Sequence, residues 1–385
     1  MLEVGAVTSH NNCKKSILSI CDISPTKFGS FEEFIVSLTI KLKENNFEHI
    51  IIFRDRPIRE VEDSLLNLGA KIEIVKPSRN SIYNFVTFYK VIKKTRPDVV
   101  HFHFYPIYTI VNYLKFFSDI KIVYTDHMGG KKAKTSAKKS LRKIYYLTNS
   151  KLFGIGIDRI ICVSNFVKSK YLKEYGITSQ KLVTIYNGIN IEKFKKNQNI
   201  DEIKKRYNIK DELVVSFVGL RRDKGPHCLI RAAPLILKEV PNIKFILVGE
   251  GECKGYIETL IEKYGIKENV ELIGNVPNIT EIYSISSCVV IPSLFEEAFC
   301  FVAAEAMSTE VPIVAFDSGA IKEIIYKKES VILKNSGLLS EKIIECLKSE
   351  DISTKNAREH VIKSFSLDKN ICNHIELYNK LLRKD

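Results

Sequence analysis

The chain has 385 residues, enough for about two domains with a sizeable core. Its 45% hydrophobic and 27% charged residues are those of a globular protein and exclude a disordered or fibrous one. No stretch approaches the ~20 apolar residues of a membrane span, and the amino terminus lacks a signal-peptide pattern. The net charge of +14 lies wholly in the first half: residues 1–190 hold 30 Lys+Arg against 16 Asp+Glu, and the remainder holds 29 against 29. That asymmetry predicts an anionic partner for one part of the chain only. Nine cysteines are scattered with no C-x-x-C pair and no Cys/His cluster, most of them in apolar runs such as IICVS and SSCVV. The pattern predicts reduced, buried thiols in a cytoplasm and argues against a disulfide framework or structural zinc.

In chain order, short apolar runs alternate with amphipathic stretches. KKSILSICDIS leads into FEEFIVSLTIKLKENN and HIIIFR, and DVVHFHF, IKIVYTD and RIICVS follow. Near-continuous Ile/Val runs without strict polar alternation read as strands covered on both faces by helices. In SPTKFGSFEEF, Gly29 and Ser30 fall at the start of the first helix, an anion-friendly turn. His101 and His103 lie on an apolar strand, where packing and hydrogen bonding are the expected roles. The densest basic run holds Lys131, Lys132, Lys134, Lys138, Lys139, Arg142 and Lys143, with Tyr145 and Tyr146 beside it. Basic residues next to aromatics suit an anionic bilayer surface; a solvated loop before a helix is the other reading. No recognition motif accompanies the charge, so no nucleic-acid partner is expected. In YNGINIEKF, Asn187 and Gly188 predict a tight turn at a join between lobes.

After the lysine-rich stretch near residue 190 the pattern restarts with LVVSFVG, NIKFILVGEG, VELIGNV, CVVIPS and VPIVAFDSG. Two doubly wound parallel sheets, an α/β architecture with a crevice between two lobes, are therefore predicted. The boundaries expected are residues 1–190 and 191–365, with a final helix over 366–385. In FVGLRRDKG a turn after a strand brings Arg221, Arg222 and Lys224 toward one phosphate. In PSLFEEAFCFVAAEAM, Glu297 precedes a helix and Glu305 sits about one turn inside it. The free N–H groups of the first turn, around Phe299, Cys300, Phe301 and Val302, form an anion site between the two carboxylates. A nucleotide diphosphate-sugar has the matching order of groups.

This segment resembles the Glu-x7-Glu motif of retaining glycosyltransferase family 4, with the GT-B fold of two Rossmann-like domains. FVGLRRDKG resembles the family V-G-R-L-x-x-x-K-G pattern, beginning at Gly219. FILVGEGE, at Gly249 and Gly251, LIGNV, at Gly274, Asn275 and Val276, and VPIVAFDSGAIKEII, at Gly319 and Glu323, match further family patterns in order. VYTDHMGG resembles the T-x-H-D strand end, at His127. Four positions depart from the family: Ser30, Ala298, Cys300 and Ala320 stand where glycine is usual.

The resemblance implies an N-terminal acceptor domain, onto which the final helix crosses back, and a C-terminal donor domain. It implies transfer of a hexose or N-acetylhexosamine from a nucleotide-diphosphate sugar, UDP-linked first, to a glycan, lipid-linked or small-molecule acceptor, with retention of configuration. Lys224, with Arg221 or Arg222, would hold the diphosphate, while Gly219, Gly249, Asn275 and Val276 would line the nucleotide. Glu305 would bind ribose and Glu297 the sugar. Glu297, His127 and Lys224 make the catalytic set, and Gly29, Ser30 and His127 the acceptor side. No metal and no cofactor beyond the donor is expected, since no D-x-D sequence is present. The implied location is cytoplasmic, peripheral at the inner membrane face. A GT-B sugar-nucleotide epimerase and a catalytically silent partner subunit are the other readings.

Overall fold

A computed structural model describes residues 14–127, 144, 147–174, 178–349 and 354–383. The basic run from Lys131 to Lys143, with Tyr145 and Tyr146, lies outside the described residues. The chain divides into two compact units. One comprises residues 1–125, 145–160 and 375–385; the other comprises residues 126–144 and 161–374.

The first sheet contains β1 (Ser16–Cys21), β2 (Glu48–Phe53), β3 (Lys71–Ile74), β4 (Val99–His103), β5 (Lys121–Asp126), β6 (Arg159–Cys162) and β7 (Leu182–Thr184). Its order is β3-β2-β1-β4-β5-β6-β7. Leu18 pairs in parallel with Ile50 on one side and Val100 on the other, and every residue of β1 and β4 is buried. The helices associated with these strands are α1 (Ser30–Glu44), α2 (Arg59–Asn67), α3 (Ser81–Thr95) and α4 (Asn165–Glu174).

The second sheet contains β8 (Leu213–Val218), β9 (Ile243–Val248), β10 (Val270–Gly274), β11 (Cys288–Ile291), β12 (Ile313–Phe316) and β13 (Val331–Ile332), in the order β10-β9-β8-β11-β12-β13. The accompanying helices are α5 (Ile200–Arg206), α6 (Pro226–Glu239), α7 (Lys254–Tyr264), α8 (Ile279–Ile285), α9 (Phe301–Ser308), α10 (Ile321–Ile324), α11 (Ser336–Lys348), α12 (Thr354–Phe365) and α13 (Leu367–Leu382). The apolar strand runs are legible once both faces are considered. Val215, Phe217, Phe245 and Leu247 pack with Leu229, Ile230 and Ile236 of α6. Val214, Ile246 and Val248 pack on the opposite side with Ile203 of α5 and Ile282 and Ile285 of α8. Alternate side chains thus feed two apolar layers, which is why no polar alternation appears.

In each sheet the strand order reverses beside the first strand, between β1 and β4 and between β8 and β11. Ligands of doubly wound sheets bind beyond the strand carboxyl ends at such a point. In the second unit that point is flanked by the turn after β8 and the loop after β11.

The Asn187–Gly188 segment differs from the tight turn expected. Residues 185–188 carry no turn or helix, and Ile189 bridges Ser366 in parallel. A Cβ on Gly188 would lie 2.6 Å from Leu367 Cα and 2.8 Å from the Ser366 carbonyl oxygen. Glycine is needed here for close backbone approach. Ile189 N–H donates to the Phe365 carbonyl at 2.9 Å, and Leu367 N–H returns a bond to Ile189 at 2.8 Å. Residues 375–385 of α13 count with the first unit, where Tyr378 O–H lies 2.6 Å from His101 Nδ1. His101 Nε2 is 2.8 Å from Thr125 Oγ1, and the His101 and His103 ring centroids lie 3.9 Å apart with the rings tilted by 38°.

Two outcomes follow from these contacts. Gly188→Ala is expected to destabilise the protein by about 1–3 kcal/mol, because both clashing groups are backbone atoms that must shift; urea unfolding checks it. His49 is 3% exposed, with its ring nitrogens 2.8 Å from Ser19 Oγ and from Thr39 Oγ1. Burial pushes its pKa from 6.5 down to about 3. The unfolded chain therefore takes up a proton near pH 6.5 that the folded chain refuses until about pH 3. Stability from this ring is complete above pH 6.5 and is lost as pH falls through that window, by up to about 1.4 kcal/mol per pH unit. Unfolding titrations at pH 7.5 and 5 should show the slope, and His49→Gln should reduce it.

Candidate active site

Gly219 follows β8 with φ +98°, and its N–H donates to the Val248 carbonyl at 2.8 Å. Gly249 follows β9 with φ +107°, and Gly274 ends β10 with φ +66°. Adjacent strands thus finish in left-handed glycine turns that keep side chains away from their carboxyl ends. Crowding reinforces this: a Cβ on Gly251 would meet the Leu220 carbonyl oxygen at 2.4 Å. Asn275 is exposed and Val276 half-buried just beyond β10.

The turn after β8 continues through Arg221 and the short helix Arg222–Lys224 to Gly225, whose φ is +79°. A Cβ on Gly225 would lie 2.1 Å from the Pro292 carbonyl oxygen, so this glycine lets the β8 turn touch the loop after β11. Leu294 N–H donates to the Asp223 carbonyl at 2.8 Å, binding the same two segments.

That contact places Lys224 Nζ 2.7 Å from Glu297 Oε1. Ser293 Oγ donates to the same oxygen at 2.7 Å. Glu297 is 4% exposed. A buried carboxylate is costly unless paired, and here an ammonium and a hydroxyl meet it together. The Glu297 backbone is held too: Ala320 N–H donates to its carbonyl at 2.8 Å, and a Cβ on Gly319 would lie 2.5 Å from its nitrogen. Gly319 has φ +67°, so both conformation and space call for glycine.

The two arginines diverge. Arg221 forms a two-point pair with Asp223, at 3.1 Å for each contact, and its guanidinium lies 5.6 Å from the Phe295 ring centroid. Lys224 Nζ lies 5.0 Å from the same centroid. Arg222 is anchored through its N–H to Glu252 Oε1 at 3.0 Å, and its charge helps to lower the pKa of His227. Arg221 therefore shares a ring with Lys224, while the Arg222 charge acts on His227.

Helix α9 starts at Phe301 after Cys300, with Glu305 one turn in. Tyr283 O–H, fully buried on α8, donates to Glu305 Oε2 at 2.9 Å. Burial, with the neighbouring Glu305 charge, pushes the Tyr283 hydroxyl well above its ordinary range, so it remains a donor. Cys300 is pushed up to about 12 by burial and then by Glu297. It stays a neutral thiol and adds no negative charge at the helix start. Phe299 packs edge-on to Phe301 at 5.1 Å, and Phe301 and Val302 are half-buried.

Glu323 is placed as a structural residue. Its carboxylate accepts from the N–H groups of Asn165 at 2.8 Å and Phe166 at 2.9 Å, capping α4, and from Tyr186 O–H. Lys170, on the same helix, reaches Glu296 at 3.3 Å. His127 also belongs to this unit. Burial, then the charge of His374, lowers its pKa to about 3, so its imidazole is neutral at physiological pH. Gly29 and Ser30 lie in the first unit at the start of α1. There Glu32 carboxylate accepts the Gly29 N–H at 3.0 Å, so the helix start carries its own anion.

Sequence reasoning missed Ser293, Phe295, Asp223 and Tyr283. The first three stand within quoted segments but have side chains of no special type. Tyr283 is 22 residues from its partner with no local cue.

Comparisons with known proteins bear on the family and the fold. The family model described as Glycosyl transferases group 1 matches residues 199–364, and Glycosyltransferase Family 4 matches residues 31–193. An uncharacterized glycosyltransferase of Methanocaldococcus jannaschii is 32% identical over 54% of this chain and 57% of its own length. The UDP-Gal:alpha-D-GlcNAc-diphosphoundecaprenol alpha-1,3-galactosyltransferase of Escherichia coli is 24% identical over 81% of each chain. The chain spans a little under three fifths of the length of the first curated relatives it matches, at 57% and 58%. The crystal structure of a glycosyltransferase from Rickettsia africae superposes with a TM-score of 0.80 at 22% identity, covering 97% of this chain and 100% of that one. The two parallel Rossmann-like sheets and these matches converge: the chain belongs to the glycosyltransferases of group 1 and family 4, with the GT-B fold.

Proposed function

We propose that this protein is a retaining glycosyltransferase that moves a hexose or N-acetylhexosamine from a nucleotide-diphosphate sugar, UDP-linked first, to a glycan, lipid-linked or small-molecule acceptor. The observation that carries the reading is the group formed by Lys224, Arg221 and Glu297 beside the start of α9, at the reversal point of the second sheet. UDP and a lipid-linked acceptor are favoured because the galactosyltransferase relative carries both in its name.

In this reading the donor diphosphate takes the place beside Lys224 and Arg221, with the α9 N–H groups completing its cradle. Its arrival shares the Lys224 ammonium between phosphate and Glu297. Glu297, kept in place by Ser293 and the Gly319 backbone, accepts a hydrogen bond from a sugar hydroxyl and opposes positive charge at the anomeric carbon. Glu305, held by the Tyr283 hydroxyl, accepts hydrogen bonds from the ribose hydroxyls. Backbone groups at Asn275 and Val276 read the base, and the Gly219 and Gly249 turns allow close approach. As the bond to the sugar breaks, negative charge grows on the leaving phosphate, where the two cations meet it. That phosphate takes the acceptor proton on the same face. Neutral His127 contacts the transferred sugar as a hydrogen-bonding group rather than a cation, and Gly29 and Ser30 line the acceptor. Side-chain cations and helix amides do the charge work that a metal would do, so we assign no metal.

The free thiols among the described residues, six of them buried, support a reducing cytoplasm. Among the described residues no helix is long and apolar enough to cross a membrane. Peripheral attachment at an anionic inner face fits the positive first half.

Lys224→Ala is expected to lower kcat by about 10²–10³-fold, since one preorganised charge contact is removed, and also to lower the unfolding transition, since Glu297 is left buried without its ammonium partner. Glu297→Gln should also be nearly inactive; turnover near wild type in either purified variant would remove the assigned roles. Arg221→Ala should slow transfer far more than Arg222→Ala, and equal losses would refute the choice between them. Proton NMR of the first product formed should show the donor's anomeric configuration. An inverted product would overturn the mechanism, and a new nucleotide-sugar formed from donor alone would show an epimerase.

A further inference from the structure

Helix α3 carries no Asp or Glu, yet its outer face is apolar: Ile82, Tyr83 and Val86 are 65%, 53% and 43% exposed. Beside it the 3₁₀ helix Ile110–Phe117 also lacks acids and presents Phe116 and Phe117 at 61% and 57% exposed. The two surfaces are continuous. The Phe117 ring meets Phe85 edge-on at 5.8 Å and Tyr89 at 6.3 Å, both rings belonging to α3. A contiguous exposed apolar face on a water-facing helix marks an interaction site.

Charge selects the occupant. Lys93 Nζ lies 5.4 Å from the Tyr89 ring centroid, Lys90 beside it is exposed, and Arg79 stands exposed before the helix. Asp119 is the acid that follows the aromatic pair, and Lys94 is already matched by Glu73 at 2.7 Å. Aromatic rings bordered by lysines are the pattern of a helix lying in the headgroup layer, with lysine stems along apolar surface and ammonium groups at phosphates. A second copy of this chain fits less well. A twofold contact would set Lys90 and Lys93 against their own images, with no acid on α3 to neutralise them.

We propose that α3 and the Ile110–Phe117 helix together form the face that seats this protein on an anionic bilayer, with Tyr83, Val86, Phe116 and Phe117 at headgroup depth and Lys90 and Lys93 against lipid phosphates. The face deepens the membrane reading above by naming its surface. It is measured without donor or acceptor, so its failure and that of the transferase reading are separable.

The full chain is sedimented with vesicles of phosphatidylglycerol and phosphatidylcholine, and with phosphatidylcholine alone. Binding is expected to the mixed vesicles and to be weak on the neutral ones. Lys90→Gln with Lys93→Gln should lower partitioning about fivefold per lysine at low salt, an effect lost near 1 M salt. Phe116→Ser with Phe117→Ser should lower it about tenfold at either salt. The chain contains no tryptophan, so Val86→Trp provides a single reporter that keeps the test independent of the serine variant. Its emission should shift to the blue on mixed vesicles and be quenched by brominated acyl chains. Failure of wild type to bind anionic vesicles, wild-type binding by the serine variant, or an unshifted Val86→Trp spectrum would overturn the proposal. So would a lipid-independent dimer that the serine variant abolishes.

Discussion

The buried ion pair between Lys224 and Glu297 is the constraint on which the second unit's candidate site is organised. A carboxylate at 4% exposure cannot persist without compensation; an ammonium and a hydroxyl supply it, and a third contact holds the Glu297 main chain. Lys224 arrives from the turn after β8, Ser293 from the end of β11, and the Gly319 backbone from the turn after β12. Each requires a permissive residue: Gly225 so that the first turn reaches Pro292, and Gly319 so that the third lies against Glu297. The acid beside the α9 start is therefore set by contacts from two other turns together with Ser293 of its own loop.

This explains what could be read from the residues alone. The sheets were legible because Ile and Val runs of strand length recur with helical stretches between them, and parallel sheets need both faces apolar. The α9 start and the position of Glu305 followed from helix geometry. Side-chain partners across long separations were not legible. Nothing near Tyr283 announces that its hydroxyl meets Glu305, and the choice between Arg221 and Arg222 depends on Asp223, His227 and the Phe295 ring. Gly188 shows a subtler failure. The Asn-Gly pair has turn chemistry, but the space taken by Leu367 and Ser366 demands an absent side chain in an extended segment.

Polar groups divide similarly between support and reaction. His101, bonded to Tyr378 and Thr125, and His49, bonded to Ser19 and Thr39, have both ring nitrogens committed inside the first unit. Glu323 spends its carboxylate on the α4 amides. The surface aromatics of α3 are the converse, apolar groups that no core contact claims.

The cap that Glu323 places on α4 bears on how the polypeptide can be divided. Severing the gene near codon 190 would part α4 from the carboxylate that caps it and the 189 bridge from residue 366. A fragment containing only the downstream portion would keep every nucleotide-facing candidate but lose the α4 contacts to Glu323 and Glu296. Sequence halves are poor guides to separable pieces in this molecule, and any split-protein or domain-exchange experiment must carry the stretch from Ile161 onward with the later segment.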